Sequence, residues 1–405
     1  MAEWISKTLG ELTSFISKGI PPKYVDEKNE NTIRVLNQKC NRNFEISYNE
    51  SRIHNAAVKK VPENKLLHSG DVLINSTGTG TAGRVAQIFN IPMPTTVDGH
   101  MILLRPTKEI DPLYYGYVIK SYQKKIESLA EGSTGQTEIN RQRLQDEIYI
   151  TFPKDRALQK EIGTFLFQID EKIKNNSEIN NNLEQQAQAI FKSWFVDFDP
   201  FGGNRPIDWI TGIVDDLGAE IICGKTPSTK KKEYYGGNTP FITIPDMHGC
   251  VYNVSTERYL SAAGVASQPK KTLPHNTVCI SCIGTAGLVT LVSEKSQSNQ
   301  QINSIVPKEG ISAYYIYLLM QTLSETINKL GQSGSTIVNL NKTQFGKIPV
   351  PIPSEQVLCN FDTLCKPLFE MILSNQKENI KLANLRDTLL PKLMAGELDV
   401  SDLDL

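Results

Sequence analysis

Several absences narrow the reading of this 405-residue chain before any motif is considered. No apolar run approaches the ~20 residues of a membrane-spanning helix, and the opening Met1-Ala2-Glu3-Trp4 lacks the basic, then apolar, character of a secretory leader. A cytoplasmic chain with no membrane partner is expected. Charge of one sign is also missing, since 43 basic residues face 44 acidic ones and leave a formal charge of −1. A protein that coats nucleic acid indiscriminately carries a broad positive field, so any contact with DNA must come from local patches or from partners. Histidine is scarce, at 5 residues, and no Ser/His/Asp arrangement is readable from spacing. The 7 cysteines are odd in number and scattered among core-like neighbours, which suits a reducing compartment better than a disulfide framework.

Enzyme signatures are incomplete in the same way. Gly78-Thr79-Gly80-Thr81-Ala82-Gly83 lacks the Gly-Lys-Ser/Thr ending of a phosphate loop, and Gly224-Lys225-Thr226 lacks the glycine that should precede it. Asp197-Phe198-Asp199-Pro200-Phe201 is short of the second proline of an amino-methyltransferase Asp-Pro-Pro-Tyr/Phe element and is read as linker. Cys279, Cys282, His248 and Cys250 offer four zinc-ligand types, but Cys279 aligns with Leu73 of an earlier repeat, an ordinary core strand position. No catalytic, cofactor or metal site is assigned, and catalysis is expected to reside in another subunit.

What is present is a duplication. Glu3-Trp4-Ile5 and Leu9-Gly10 return as Asp208-Trp209-Ile210 and Leu217-Gly218. Val72 to Val85 returns as Val278 to Val289, and Gly132-Ser133-Thr134 with Ile139-Asn140-Arg141 returns as Gly331-Gln332-Ser333 with Leu340-Asn341-Lys342. Duplex DNA is a two-fold-like ligand, and paired modules read it at fixed spacing.

Each repeat ends in a heptad seam. Spacings of alternately four and three run through Ile162, Leu166, Ile169, Ile173, Asn176, Asn180, Leu183, Ala187, Ile190 and Trp194. The second seam, Phe361, Cys365, Leu368, Ile372, Asn375, Asn379, Leu382, Arg386, Leu389 and Leu393, follows 199 positions later throughout, asparagine for asparagine. Chain order favours an antiparallel pair. Asn176 and Asn180 lie two residues either side of the first seam's midpoint, so aligned ends set Asn176 near Asn379 and Asn180 near Asn375. A polar layer of this kind costs stability and penalises slipped registers. The seam's 33 residues give roughly 50 Å at ~1.5 Å per residue, comparable to one and a half turns of B-DNA.

The predicted boundaries are a first module over 1–154, a helix over 155–199 with a linker to 206, a second module over 207–353, and a second helix with its tail over 354–405. Short β-rich runs broken by Gly, Pro, Asn and Ser make the modules mixed α/β, giving an α+β chain with a pseudo-two-fold internal repeat. Loops rich in Ser, Thr, Asn, Gln, Lys and Arg have the chemistry of phosphate and base-edge contact. In the first module the candidates are Lys18, Lys23, Arg34, Asn37, Arg42, Thr77, Thr79, Arg84, Gln136, Asn140, Arg141 and Arg143. In the second they are Lys225, Ser228, Thr229, Lys230, Lys231, Lys232, Thr285, Gln300, Gln301, Ser335, Asn341 and Lys342.

Trp followed by Leu-Gly at the head of each half, Gly-Ser-Thr and Ile139-Asn140 before a proline-led helix, Gln185 to Phe201 closing the first half and Leu385 to Leu398 closing the second together resemble one family. It is that of the specificity subunits of Type I restriction-modification systems, and the resemblance covers essentially the whole chain. It implies two target recognition domains on two long antiparallel coiled-coil helices, each reading half of a bipartite sequence in double-stranded DNA. It further implies a non-catalytic chain that docks two modification subunits, which use S-adenosylmethionine to methylate adenine, and restriction subunits that use ATP and Mg to translocate and cut. Arg386 departs from the pattern, standing where the first helix has Ala187, and is expected to snorkel or to meet an acid of a modification subunit. The alternatives are a specificity component of another restriction system with a fused methylase-nuclease partner, and a coiled-coil scaffold that binds no DNA.

Overall fold

The structure, a computed structural model, describes residues 3–132, 137–332 and 339–400. The chain forms two compact units, Met1–Glu171 with Leu382–Leu405 and Lys172–Lys381. Two 40-residue helices, Arg156–Phe195 and Glu355–Met394, are shared between them, each unit taking part of both.

In the first unit the strand pattern follows burial. Val72–Asn75 is buried on both faces and lies inside an antiparallel sheet ordered Thr13–Lys18, Met101–Pro106, Val72–Asn75, Val85–Gln87. A second sheet runs Thr95–Val97, Thr32–Leu36, Arg52–Asn55, Tyr24–Val25, with Thr95–Val97 parallel to Thr32–Leu36. Trp4–Thr8 pairs with Tyr149–Pro153 just before the first long helix. Asp111 caps the helix Pro112–Ser121 by accepting from the N–H groups of Leu113 and Tyr114 at 3.0 and 3.3 Å, and proline opens its first turn.

The second unit repeats this plan. Its first sheet is Gly218–Cys223, Ile302–Pro307, Val278–Ser281, Val289–Val292, extended by Tyr252–Asn253. Its second is Arg258–Leu260, Tyr235–Ile242, Ser296–Ser298, Thr272–Leu273, and Ser296–Ser298 lies parallel to Tyr235–Ile242. Ile210–Ile213 pairs with Pro349–Ile352, and Ser312 caps Ala313–Thr322. Cys279 is a buried strand residue whose thiol meets the Ser304 hydroxyl at 3.4 Å, and burial pushes that thiol up to about 12.

The long helices bury Ile162, Leu166 and Ile169 in the first unit, with Leu389 from the second helix. In the second unit Ile372 is buried, while Ile173, Leu183, Ile190 and Leu368 are half-buried, as is Leu382 in the first. Full burial of one such side chain contributes about 1.5–3 kcal/mol, so the seam outweighs helix propensity in holding the helices. Within the second unit the pair is antiparallel. Asn176 Nδ2 donates to Asn379 Oδ1 at 2.9 Å, and Asn375 Nδ2 donates to Asn180 Oδ1 at 2.9 Å. Asn176 also donates to Glu378 at 2.7 Å, and Asn379 donates to the Ile173 carbonyl at 3.1 Å. A slip of one heptad would break these pairs and face amides with apolar seam residues such as Leu382 and Leu183, or Ile372 and Ile173.

Arg386, expected to snorkel or to meet an acid of a modification subunit, meets an acid of its own chain instead. It pairs with Asp170 of the first long helix and lies 2.8 Å from Asp387. Asp170 also accepts from the Tyr117 hydroxyl at 2.6 Å. The segment read as a linker is packed as well: a 3-10 turn at Asp199–Phe201 sets Phe198 and Phe201 against Trp209 at 5.8 and 5.4 Å between ring centroids. Phe198 takes a left-handed φ of 57° to make that contact, a strained choice for a residue with a bulky side chain.

Lys120 faces the same Asp170. Its ammonium is 3.8 Å from that carboxylate and 4.3 Å from the centre of the Phe44 ring, with Tyr117, Arg386 and Asp387 as its other charged or titratable neighbours. Burial, opposed by Asp170 and reinforced by Arg386, lowers its pKa to about 8. The folded chain therefore binds fewer protons than the unfolded chain between about pH 8 and the ordinary lysine value, and stability rises with pH across that window. Lys120→Met is expected to raise the melting temperature at pH 7 by a few degrees, for about 1 kcal/mol, with the gain over wild type shrinking by pH 9. Scanning calorimetry at the two pH values checks it. In the amide layer, Asn180→Leu alone is expected to cost about 1–2 kcal/mol by stranding Asn375, and adding Asn375→Leu should recover that loss in a thermal double-mutant cycle.

Candidate nucleic-acid interface

In each unit one hydrogen-bonded frame joins the end of the first sheet strand, the glycine-rich loop, and the loop leading into the Met101 or Ile302 strand. In the first unit Gly19 N–H donates to Met101 O at 3.1 Å, Ile20 N–H to Val97 O at 2.9 Å, Ser76 N–H to His100 O at 2.8 Å and Ile139 N–H to Ser76 O at 2.8 Å. In the second, Gly224 N–H donates to Ile302 O at 3.0 Å, Lys225 N–H to Ser298 O at 2.9 Å, Cys282 N–H to Gln301 O at 2.8 Å and Leu340 N–H to Cys282 O at 3.0 Å. The two glycines explain the close approach. A Cβ on Gly19 would lie 2.0 Å from Val97 O, and one on Gly224 would lie 2.1 Å from Asn299 O.

Around this frame the first unit gathers a basic cluster. Lys18 and Arg141 line one open cleft of about 680 Å³ together with Glu131, Glu138 and Asn140. Lys65, which sequence reasoning missed, donates to the Lys18 and Gly19 carbonyls at 2.9 and 3.1 Å. Burial and then Arg141 push the Lys18 ammonium below its usual range, and the same two causes, with Lys59, lower Lys65. Lys18 pairs with the acidic Glu138. A phosphate backbone beside these lysines would favour their charged forms. His54 braces the neighbouring loops: it is fully buried, Nδ1 accepts from Lys23 N–H at 2.8 Å, and Nε2 meets Lys59 O at 2.7 Å.

The other candidates fall in three groups. Lys23, Arg42 and Thr79 are exposed, while Arg34 and Arg84 are half-buried. The Arg34 guanidinium lies 4.6 Å from the Tyr48 ring centre, and Arg84 donates to Gly80 O at 3.1 Å. Thr77 bonds to His100 Nδ1 at 2.9 Å, and Asn140 caps the helix opened by Arg141. Arg143 is engaged by Glu131 and Glu147, and Asn37 caps a turn at Lys39. In the second unit Lys225, Ser228, Thr229, Lys230, Lys231, Lys232, Thr285, Gln300, Asn341 and Lys342 are exposed, with Lys231 bonded to the Tyr234 hydroxyl at 3.0 Å. Gln136 and Ser335 lie outside the described residues. His100 and Gln38, which flank Thr77, were missed: a lone histidine or glutamine carries no signal. Alignment of Asp98-Gly99-His100 with Asn299-Gln300-Gln301 would have found His100.

Comparison with known proteins shows the family. The model of the Type I restriction modification DNA specificity domain matches twice, over residues 1–185 and 206–360, and the chain belongs to that family. It is 31% identical to the Type I restriction enzyme HindI specificity subunit of Haemophilus influenzae, covering 98% of this chain and 100% of that protein. It is 25% identical to the MjaIX specificity subunit of Methanocaldococcus jannaschii, over 99% of this chain and 95% of that one. Among solved structures it is similar in fold to the S subunit of a Type I restriction-modification system from M. genitalium, with a TM-score of 0.61, 18% identity, and coverage of 97% and 96% of the two chains. The function that follows for this chain is DNA sequence specificity. Among the described residues no helix is long and apolar enough to cross a membrane, and no group of three or more His, Cys, Asp or Glu is placed to hold a metal ion.

Alanine at Lys18, Lys65 or Arg141 is expected to weaken DNA binding alike on target and non-target duplexes. Each change should reduce the slope of log affinity against log salt by about one, measured by anisotropy titration.

Proposed function

We propose that this chain directs a Type I modification and restriction complex to a bipartite site in double-stranded DNA, each unit reading one half. In this reading it docks two modification subunits, which hold S-adenosylmethionine and methylate adenine, and restriction subunits that use ATP and Mg, while contributing no catalytic group of its own. The observation that carries the proposal is the frame repeated bond for bond in two units whose outward side chains differ, since two halves of an asymmetric target need one scaffold and two sets of readers. The family membership and the full-length match to a curated specificity subunit support it.

The paired helices, tied by the asparagine layer, serve in this reading as the ruler for the unspecified spacer. The near-zero net charge favours feeble binding by the chain alone, with selectivity acquired on assembly. The decisive experiment maps methylated adenines genome-wide in cells with and without the intact gene. A bipartite motif that disappears with the gene is expected, and an unchanged map overturns the proposal. Inserting one heptad into the first long helix is expected to change the preferred spacer and neither half-site; altered half-sites with a constant spacer would remove the coil from that role.

A further inference from the structure

The loop that closes each frame is built alike and tipped differently. Asp98 and Asn299 are nearly buried, and each accepts through Oδ1 the N–H two residues on, from His100 at 2.9 Å and from Gln301 at 3.0 Å. Both backbones are held further, by Asp98 N–H to Leu36 O at 2.9 Å and Asn299 N–H to Ile242 O at 3.1 Å. The positions between and after these anchors are Gly99-His100 in one unit and Gln300-Gln301 in the other. A Cβ added at Gly99 would meet nothing within 4 Å, His100 and Gln300 are exposed, and Gln301 is half-buried.

The bonds also settle which atoms the tips offer. Because Asn299 Oδ1 takes the Gln301 N–H, its Nδ2 is the donor to Gln301 Oε1 at 3.0 Å, which leaves the Gln301 Nε2 amino group as a donor. Thr226 Oγ1 donates to Gln300 Oε1 at 2.7 Å, and the Gln300 amino group is left in the same way. In the other unit Thr77 engages His100 Nδ1 at 2.9 Å and leaves Nε2.

We infer that these tips are the base-reading positions of the two units, with Gln301 donating to a major-groove acceptor in one half-site and His100 contacting a base edge in the other. The inference rests on the DNA-specificity reading above. A rigid frame of this kind has met its ordering cost before binding, so its outward polar atoms discriminate rather than adapt. An amide donor fits the acceptors of guanine O6 and N7, and a carboxylate in its place rejects them in favour of cytosine or adenine amino groups. One such contact is worth roughly ten- to hundredfold discrimination at its base pair.

The test uses the complex assembled with its modification subunits and reads methylated-adenine maps and methylation rates on duplexes varied one base pair at a time. Gln301→Glu is expected to shift one base position in one half-site by roughly ten- to hundredfold, away from an acceptor, leaving the other half-site and the spacer as they were. Gln301→Met, of similar length and without the amide, should relax that same position, and His100→Gln should alter the other half-site alone. Unchanged targets in all three variants, changes in both half-sites from one substitution, or a uniform loss with a smaller salt slope would each overturn the inference. If the wild-type complex itself leaves no bipartite pattern, the functional proposal fails. A wild-type pattern that no tip variant alters overturns only this assignment.

Discussion

A buried amide accepts very few neighbours, and the architecture of this chain depends on that restriction. Leu and Ile along a heptad seam bind one another in many registers, since apolar contact has little direction. Asn176, Asn180, Asn375 and Asn379 remove the choice, because each is satisfied where a polar partner waits across the seam: the facing amide for all four, with the Glu378 carboxylate for Asn176 and the Ile173 carbonyl for Asn379. The long helices also contribute core to both units: Phe191 and Phe361 pack with Tyr315 in the second, and Leu166 and Ile169 are buried in the first. Within the second unit, fixing the helices therefore fixes the floor on which its helix and sheets are laid.

The repeat is strict where backbone meets backbone and loose where side chains meet charge. Tyr117 and Tyr317 occupy the same place in their units and both donate to a carboxylate of the first long helix, Asp170 in one case and Glu184, at 2.8 Å, in the other. Around Asp170 the chain has placed Arg386 and Lys120, whereas Glu184 is served by the neutral Gln321 at 2.9 Å. The first unit thus sets two cations against its half-buried carboxylate, where the second sets a neutral hydroxyl and a neutral amide. Lys120, its pKa lowered by burial to about 8, gives the first unit a pH response above that value.

Much of this plan was legible in the sequence. The duplication, the seam positions, the asparagine pairing and the mixed α/β modules all follow from spacing and composition, which report periodic burial well. The Arg386–Asp170 pair was not legible, since a charged seam residue says nothing about where its counter-ion lies. The packing of Phe198 and Phe201 on Trp209 was hidden by prolines and glycines that read as a linker. Among the candidate contact residues, composition marked Lys225 to Lys232 and Arg141 but passed over Lys65 and His100, which are single polar residues whose importance comes from a backbone carbonyl or a hydroxyl reached across the fold.

The flat approach at Gly19 and Gly224 has a use beyond this chain. No other residue fits there, and each glycine is followed, 79 residues on in the first half and 75 in the second, by the buried Asp98 or Asn299. Those two fixed points bracket the loop tip that follows, whatever side chains the tip itself carries. They act as a postal address: in relatives whose recognition modules have drifted past alignment, a glycine that tolerates no Cβ and an Asx residue some seventy-odd positions later would mark where to look for the letters of the target.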